Sequence, residues 1–264
     1  MYRRQTRPQR YKLLLAYDGS AYAGWQVQPN QRTVQGELEA ALRHLAGAPV
    51  KLHGSGRTDR GVHAIGQIAH CDLPFILPAA NLRRALNAIL PANIRIRQAR
   101  MAAADFHARR DAVGKEYRYY IWNGEVISPF LRLYRTHVRQ LLNLRAMRRA
   151  AALLVGRRDF AAFTANPNRK VASTRRRLRL LTVSRQGPEI VIRAQSDGFL
   201  YKMVRSLAGF LIRVGEGAVP PEETRRILRS RTRTARVPSA PPQGLFLWRV
   251  WYPAPTRATV RRSS

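Results

Sequence analysis

The apolar residues of this chain switch repeatedly between an alternating and a helical period, and its two halves switch in a similar order. Residues 11–17 (YKLLLAY) form a short apolar run ended by Asp18-Gly19, the pattern of a buried strand followed by a turn. From residue 33 to 45, Val34, Leu38, Ala41, Leu42 and Leu45 recur at helical spacing. Thr33 stands where an N-cap belongs, and Gly47-Ala48-Pro49 stops the helix. Residues 50–53 and 66–73 read as two further strands. A second helix opens at Pro78, a favoured first helical position, carries Leu82, Leu86 and Ile89, and ends before Pro91. Ile94 and Ile96 then alternate with arginines, as in a strand.

The second half repeats the mixture. Residues 115–123 (KEYRYYIWN) place Tyr117, Tyr119 and Ile121 on one face of a strand. Asn143 is positioned to cap a helix through Leu144, Met147, Ala151 and Leu154 that ends at Gly156. Residues 178–183 and 190–194 predict a hairpin around Gln186-Gly187-Pro188. An amphipathic helix is expected over 199–214, a shorter one over 221–229 and a closing strand over 245–251. The regular βαβ alternation of a parallel sheet is missing, so the expected class is α+β with antiparallel pairing. The expected organisation is a basic tail (1–10), an N-terminal half (11–110), a C-terminal half (111–252) and a second basic tail (253–264), the halves meeting near residues 105–114.

Charge then narrows the partner. Among 264 residues, 48 are basic and 15 acidic, a formal net charge of +33. Charge on that scale calls for a polyanion, because each neutralised phosphate releases counterions. Arginine outnumbers lysine 43 to 5, a bias that genome base composition alone produces, but the charge itself remains. Residues 1–110 carry +11 and the remainder +22, and most arginines lie inside patterned segments. The single cysteine, Cys71, rules out an internal disulfide framework and agrees with a reducing cytoplasm. No apolar run approaches a membrane span, and the basic N-terminus lacks the apolar core of a secretory signal. A soluble cytoplasmic protein with no membrane partner is expected.

Several chemistries drop out on spacing. His53, His63, His70 and Cys71 cluster in sequence but match no recognised ligand pattern, so no metal is expected. Gly54-Ser55-Gly56 is not followed by the GK[ST] of a phosphate-binding loop, and no G-x-S-x-G elbow carries a serine nucleophile. What remains is the stretch SGRTDRGVHA (55–64), in which Asp59 stands between Arg57 and Arg60 among glycines that allow close approach of a ligand. On these residues alone Asp59 is either a capping or salt-bridging turn residue or a carboxylate that acts on a sugar carbon. The charge and the carboxylate together point to nucleic acid as the sugar polymer.

GRTDRGVHA followed by IGQIAHCD closely resembles the signature of the TruA-type tRNA pseudouridine synthases. YDGSAYAGWQVQPNQRTVQGELEAAL (17–42) is similar to the N-terminal block of that family, and FHARRDAVGKEYRYYIWN (106–123) to its central block. MRRAAALLVGRRDFAAF (147–163), DGFLYKMVRSLAGFLIRVGEG (197–217) and APPQGLFLWRVWY (240–252) are similar to its C-terminal blocks. The similarity runs in order over roughly residues 11–252. Ser20 stands where the family usually has Thr, Tyr22 where Phe is common and Ser239 where Thr is expected; residues 229–242 are unusually basic.

The resemblance implies a pseudouridine synthase fold: two RRM-like α/β halves joined through a largely antiparallel sheet, with a central basic cleft. It implies isomerisation of uridine to pseudouridine at positions 38, 39 and 40 of the tRNA anticodon stem-loop, by a homodimer, with no cofactor and no metal. Asp59 is then the catalytic residue, as nucleophile or as base. Tyr117 stacks on the base, Arg57 fills the space that a flipped base leaves, and Arg205 is the partner of Asp59. The residues taken alone leave other roles open: a plain phosphate contact for Arg57, core packing for Tyr117 and a snorkelling cation for Arg205. Leu200 to Val204 are expected in the core, and His63 and His107 are expected to be structural. Two other functions fit the same charge: a non-catalytic RNA-binding protein on this scaffold, and a synthase acting on other tRNA uridines.

Overall fold

A computed structural model of the chain describes residues 4–165 and 172–254. The N-terminal half contains β1 (Arg4–Tyr17), α1 (Val34–Ala46), β2 (Leu52–Gly54), β3 (His63–Phe75), α2 (Ala79–Ile89) and β4 (Ile94–Met101). The C-terminal half contains β5 (Gly114–Trp122), β6 (Thr136–His137), α3 (Leu144–Leu154), β7 (Gly156–Asp159), β8 (Arg175–Gln186), β9 (Glu189–Ser196), α4 (Met203–Gly215), α5 (Glu223–Ser230) and β10 (Leu245–Trp251). The fold is α+β, and most strand pairs are antiparallel.

Local chemistry sets the helix ends. The Thr33 hydroxyl oxygen accepts from the Gly36 amide at 3.2 Å, and Gly47 ends α1 at φ 66°, where a side chain is strained. Asn143 accepts from the Ala146 amide at 3.0 Å and starts α3. Pro78, expected inside the second helix, is its extended N-cap instead, with ψ 132°. The amphipathic helix expected from residue 199 starts only at Met203, because Lys202 has φ 53° and cannot continue a helix backward. Residues 199–202 form the turn before it.

The N-terminal tail also needs correction. β1 begins at Arg4, so residues 4–10 belong to the sheet. Its partner β3 runs to Phe75 and offers backbone groups to pair. Arg10 is further anchored by a bidentate pair with Asp72, at 2.7 and 2.6 Å. Of the expected C-terminal tail, residues 255–264 lie outside the described residues. The short strands β6 and β7 were not expected from the sequence.

The sheet runs β4-β1-β3-β10-β5-β9-β8-β7. The last strand of the chain, β10, therefore lies between the two halves, antiparallel to β5 and parallel to β3. Its junction with β3 is only two residue pairs long, Phe246↔His63 and Leu247↔Ala64. One cross-strand row crosses this junction: Ile94, Tyr17, Ala64, Leu247, Tyr117, Ala194 and Leu181. All seven are buried and belong to one apolar core that spans both halves. The strands approach so closely here that a Cβ on Gly66 would stand 2.2 Å from the Trp248 carbonyl oxygen. Gly66→Ala is thus expected to destabilise the fold by about 1–3 kcal/mol through forced separation of β3 and β10, measured by urea unfolding.

Candidate active site

Asp59 sits in loop 55–62, which leads directly into β3, so the strand at the junction also delivers the carboxylate. The loop is held at several points. The buried Ser55 hydroxyl donates to Gln67 Oε1 (2.6 Å), and Gln67 Nε2 donates to the Gly56 carbonyl (2.9 Å). Thr58 Oγ1 bonds to the Tyr17 hydroxyl (2.8 Å), and the Trp25 amide donates to the Thr58 carbonyl (3.1 Å). The Val62 amide closes the turn onto the Asp59 carbonyl at 3.1 Å. Asp59 is thereby fixed on a rigid base while its side chain stays partly exposed.

Arg205, in the first turn of α4, reaches across from the other half. Its Nη1 donates to Asp59 Oδ2 at 3.0 Å, and its Nε donates to the Ala240 carbonyl at 2.8 Å. The Ala240 amide in turn donates to the Arg205 carbonyl at 2.9 Å. The guanidinium is therefore oriented from both ends, paired with Asp59 rather than snorkelling into solvent. Asp59 Oδ1 accepts no hydrogen bond among the described residues, so one carboxylate oxygen is anchored and the other is unengaged.

Tyr117 lies beside this pair on β5. It is buried, its ring meets Phe199 edge-on at 5.2 Å, and burial, with Tyr17 and Asp59 adding to it, pushes its phenol well above the usual range. Arg57 is exposed on the loop. Asp59, Tyr117, Arg205 and Arg57 all line one cleft of about 930 Å³ between the halves. Asp59 is the only carboxylate among the described residues of its wall, whereas Arg57, Arg60, Arg109, Lys115, Arg132 and Lys202 add positive charge. Leu200, Met203 and Val204 are buried as expected but also line the cleft, and Tyr201 is exposed.

Lys115 escaped the sequence reading. Its Nζ donates to the Ser55 carbonyl at 2.7 Å and stands 3.0 Å from where a Cβ on Gly56 would be. It braces the Asp59 loop from the opposite half. The signal was present: period-two alternation puts Lys115 on the same face as Tyr117. Burial, reinforced by Arg109, pushes its ammonium down to about 8.

The histidines play other parts. His63 is buried, bonded to the Gly19 amide (3.1 Å) and the Leu133 carbonyl (2.9 Å), and His107 Nδ1 accepts from the Arg109 and Arg110 amides at 3.1 and 3.2 Å. His53 stacks on His70 at 5.0 Å, and no group of three possible ligands among the described residues is arranged to hold a metal ion.

Comparison with known proteins places the chain. The tRNA pseudouridine synthase family matches residues 14–111 and 150–253, and the chain belongs to that family. It is 41% identical to tRNA pseudouridine synthase A of Limosilactobacillus fermentum, over 94% of this chain and 98% of that one. It is 45% identical to tRNA pseudouridine synthase A of Geotalea uraniireducens, over 91% and 98% of the two chains.

The Lys115 ammonium gives a pH prediction for binding. Its charge is present below about pH 8 and lost as pH rises through that value, so affinity for a polyanion falls in the same direction. Lys115→Arg, which stays charged, is expected to flatten the dependence of RNA affinity on pH between about 7 and 9, read by fluorescence anisotropy with a labelled oligonucleotide.

Proposed function

We propose that this chain isomerises uridine to pseudouridine in tRNA, with Asp59 as the catalytic residue, and that its targets are positions 38, 39 and 40 of the anticodon stem-loop. The observation that carries the reading is the Arg205–Asp59 pair, which sets a single carboxylate into an otherwise cationic cleft. A protein that only bound phosphates gains nothing from a carboxylate there, since it repels the ligand.

The chemistry needs few groups. The N1–C1′ bond breaks, the base turns, C5 bonds to C1′, the C5 hydrogen leaves to solvent and N1 takes up a proton. Arg205 holds one oxygen of Asp59 and leaves the other toward the reacting nucleotide. The target base must leave its stack to reach that depth. Tyr117 then offers a ring to the base, its hydroxyl kept protonated by burial, and Arg57 occupies the vacated stack.

We further propose that the enzyme works as a homodimer in the cytoplasm. Val126, Phe130 and Leu141 are 75%, 85% and 74% exposed and supply apolar surface for a second copy. Burial pushes the lone Cys71 thiol up to about 12, which leaves it inert in a reducing compartment. No helix among the described residues is long and apolar enough to cross a membrane.

The test uses tRNA tritiated at uridine C5. The unaltered chain is expected to release tritium, and Asp59→Ala to lose release by at least about 10²–10⁴-fold while still binding tRNA. Chemical mapping of the product should find pseudouridine at 38–40. No release by the unaltered chain on several tRNAs would end the isomerase reading. In sedimentation experiments the protein should run at twice the chain mass.

A further inference from the structure

β7 is the terminal strand of the sheet, paired only with β8 among the described residues. In their register Arg157 stands opposite Arg177, and Arg158 opposite Arg176. Side chains so placed are about 4.5–5.5 Å apart at Cβ, and like charges there destabilise the pair. Neighbouring carboxylates do not relieve it. Asp159 is engaged by the Thr174 hydroxyl, the Ala161 amide and Arg231, and Asp197 Oδ1 by the Arg177 amide and the Ser196 hydroxyl. Among the described residues none of Arg157, Arg158, Arg176 and Arg177 has a carboxylate within ion-pair distance. Arg157, Arg158 and Arg177 are exposed and Arg176 is half-buried.

The register also says where this charge lies. Lys115 pairs with Ser196, Ser196 with Leu178, and Leu178 with Gly156. Two residues on, Arg176 and Arg158 therefore share the sheet face of Lys115 and Tyr117, whereas Arg157 and Arg177 project from the other face. Strand spacing puts the first pair roughly 15 Å from Lys115. The ground between is continuous with the cleft: Arg176 Nε is 3.8 Å from where a Cβ on Gly198 would be, and the next residue, Phe199, packs on Tyr117. No aromatic side chain lies within β7 or among residues 175–179 to stack on a base.

We propose that the Arg157–Arg177 and Arg158–Arg176 pairs form a phosphate-binding rim that grips the substrate RNA backbone outside the cleft, a role that rests on the tRNA reading above. Guanidinium groups suit phosphate oxygens bidentately, and two pairs straddling a sheet edge track a backbone rather than read bases. The rim adds affinity that is independent of sequence, and the intrinsic repulsion of the pairs is relieved only when the polyanion is bound. Charge on a bare strand edge also blocks edge-to-edge aggregation, but that purpose does not call for a second set of arginines on β8.

The test compares the full-length chain with Arg157→Gln/Arg158→Gln/Arg176→Gln/Arg177→Gln. Filter binding with unmodified transcripts of two tRNAs of different sequence, over a range of KCl concentrations, gives affinity and salt slope. The variant is expected to bind both tRNAs at least about tenfold more weakly at 0.1 M salt. Its slope of log K against log salt should be shallower by about 2 to 3, since each phosphate contact contributes roughly 0.7–0.9. The melting temperature of the free protein should not fall, and tritium release at saturating tRNA should stay within about twofold. Unchanged affinity and slope would overturn the proposal, with or without increased aggregation. So would a loss confined to one tRNA, or a loss accompanied by a lower melting temperature. The two readings fail separately: an unaltered chain that binds with the arginine-dependent slope but releases no tritium sinks only the isomerase reading. Tritium release with binding indifferent to the four substitutions sinks only the rim.

Discussion

Two residue pairs of parallel strand, Phe246 with His63 and Leu247 with Ala64, hold this architecture together. Without them the strands form two sheets, β4-β1-β3 and β10-β5-β9-β8-β7. With them, the strand that follows the Asp59 loop lies one strand away from the strand that carries Lys115 and Tyr117. So short a ladder is not strong by itself. It is sustained by the buried row from Ile94 to Leu181 that continues across it and by the single core beneath. The close approach also explains why glycine stands at position 66, where a methyl group would meet backbone.

The junction also makes the site depend on both halves. The N-terminal half supplies Asp59 on a loop tied down by Ser55, Gln67, Thr58 and Tyr17. The C-terminal half answers with Arg205 on the carboxylate and Lys115 on the loop backbone. A slip of either half would leave the half-buried Arg205 without its carboxylate, or a half-buried lysine without its acceptor. The geometry of the site and half-to-half packing are thus enforced by the same contacts, because a half-buried Arg205 guanidinium without its carboxylate is costly.

Much of this was legible in the chain. Periodicity located α1, α2, α3 and β10 because their apolar residues face one core and their caps are local, as Thr33 and Asn143 show. It failed where tertiary contacts overrule local pattern. Residues 4–10 look like a solvated basic tail until β3 supplies a strand to pair with and Asp72 a partner for Arg10. Residues 199–202 continue the apolar period of α4, yet a left-handed Lys202 turns them out to line the cleft. Lys115 acquires its role only when the Ser55 carbonyl, 60 residues away in the chain, is brought against it.

The sequence by itself determined the chemistry available: one carboxylate in a glycine-rich basic loop, an aromatic strand, and an arginine on an apolar helix, all within a chain too positive for anything but a polyanion. Those are properties of side chains and their immediate neighbours, and they survive in one dimension. Only the tertiary structure decided that Arg205, 146 residues from Asp59 in the chain, anchors it. It also decided that Lys115 braces the same loop and that four arginines on two strands face one another at the sheet edge. Each of these depends on strand order and register, which long-range pairing sets and local sequence does not encode.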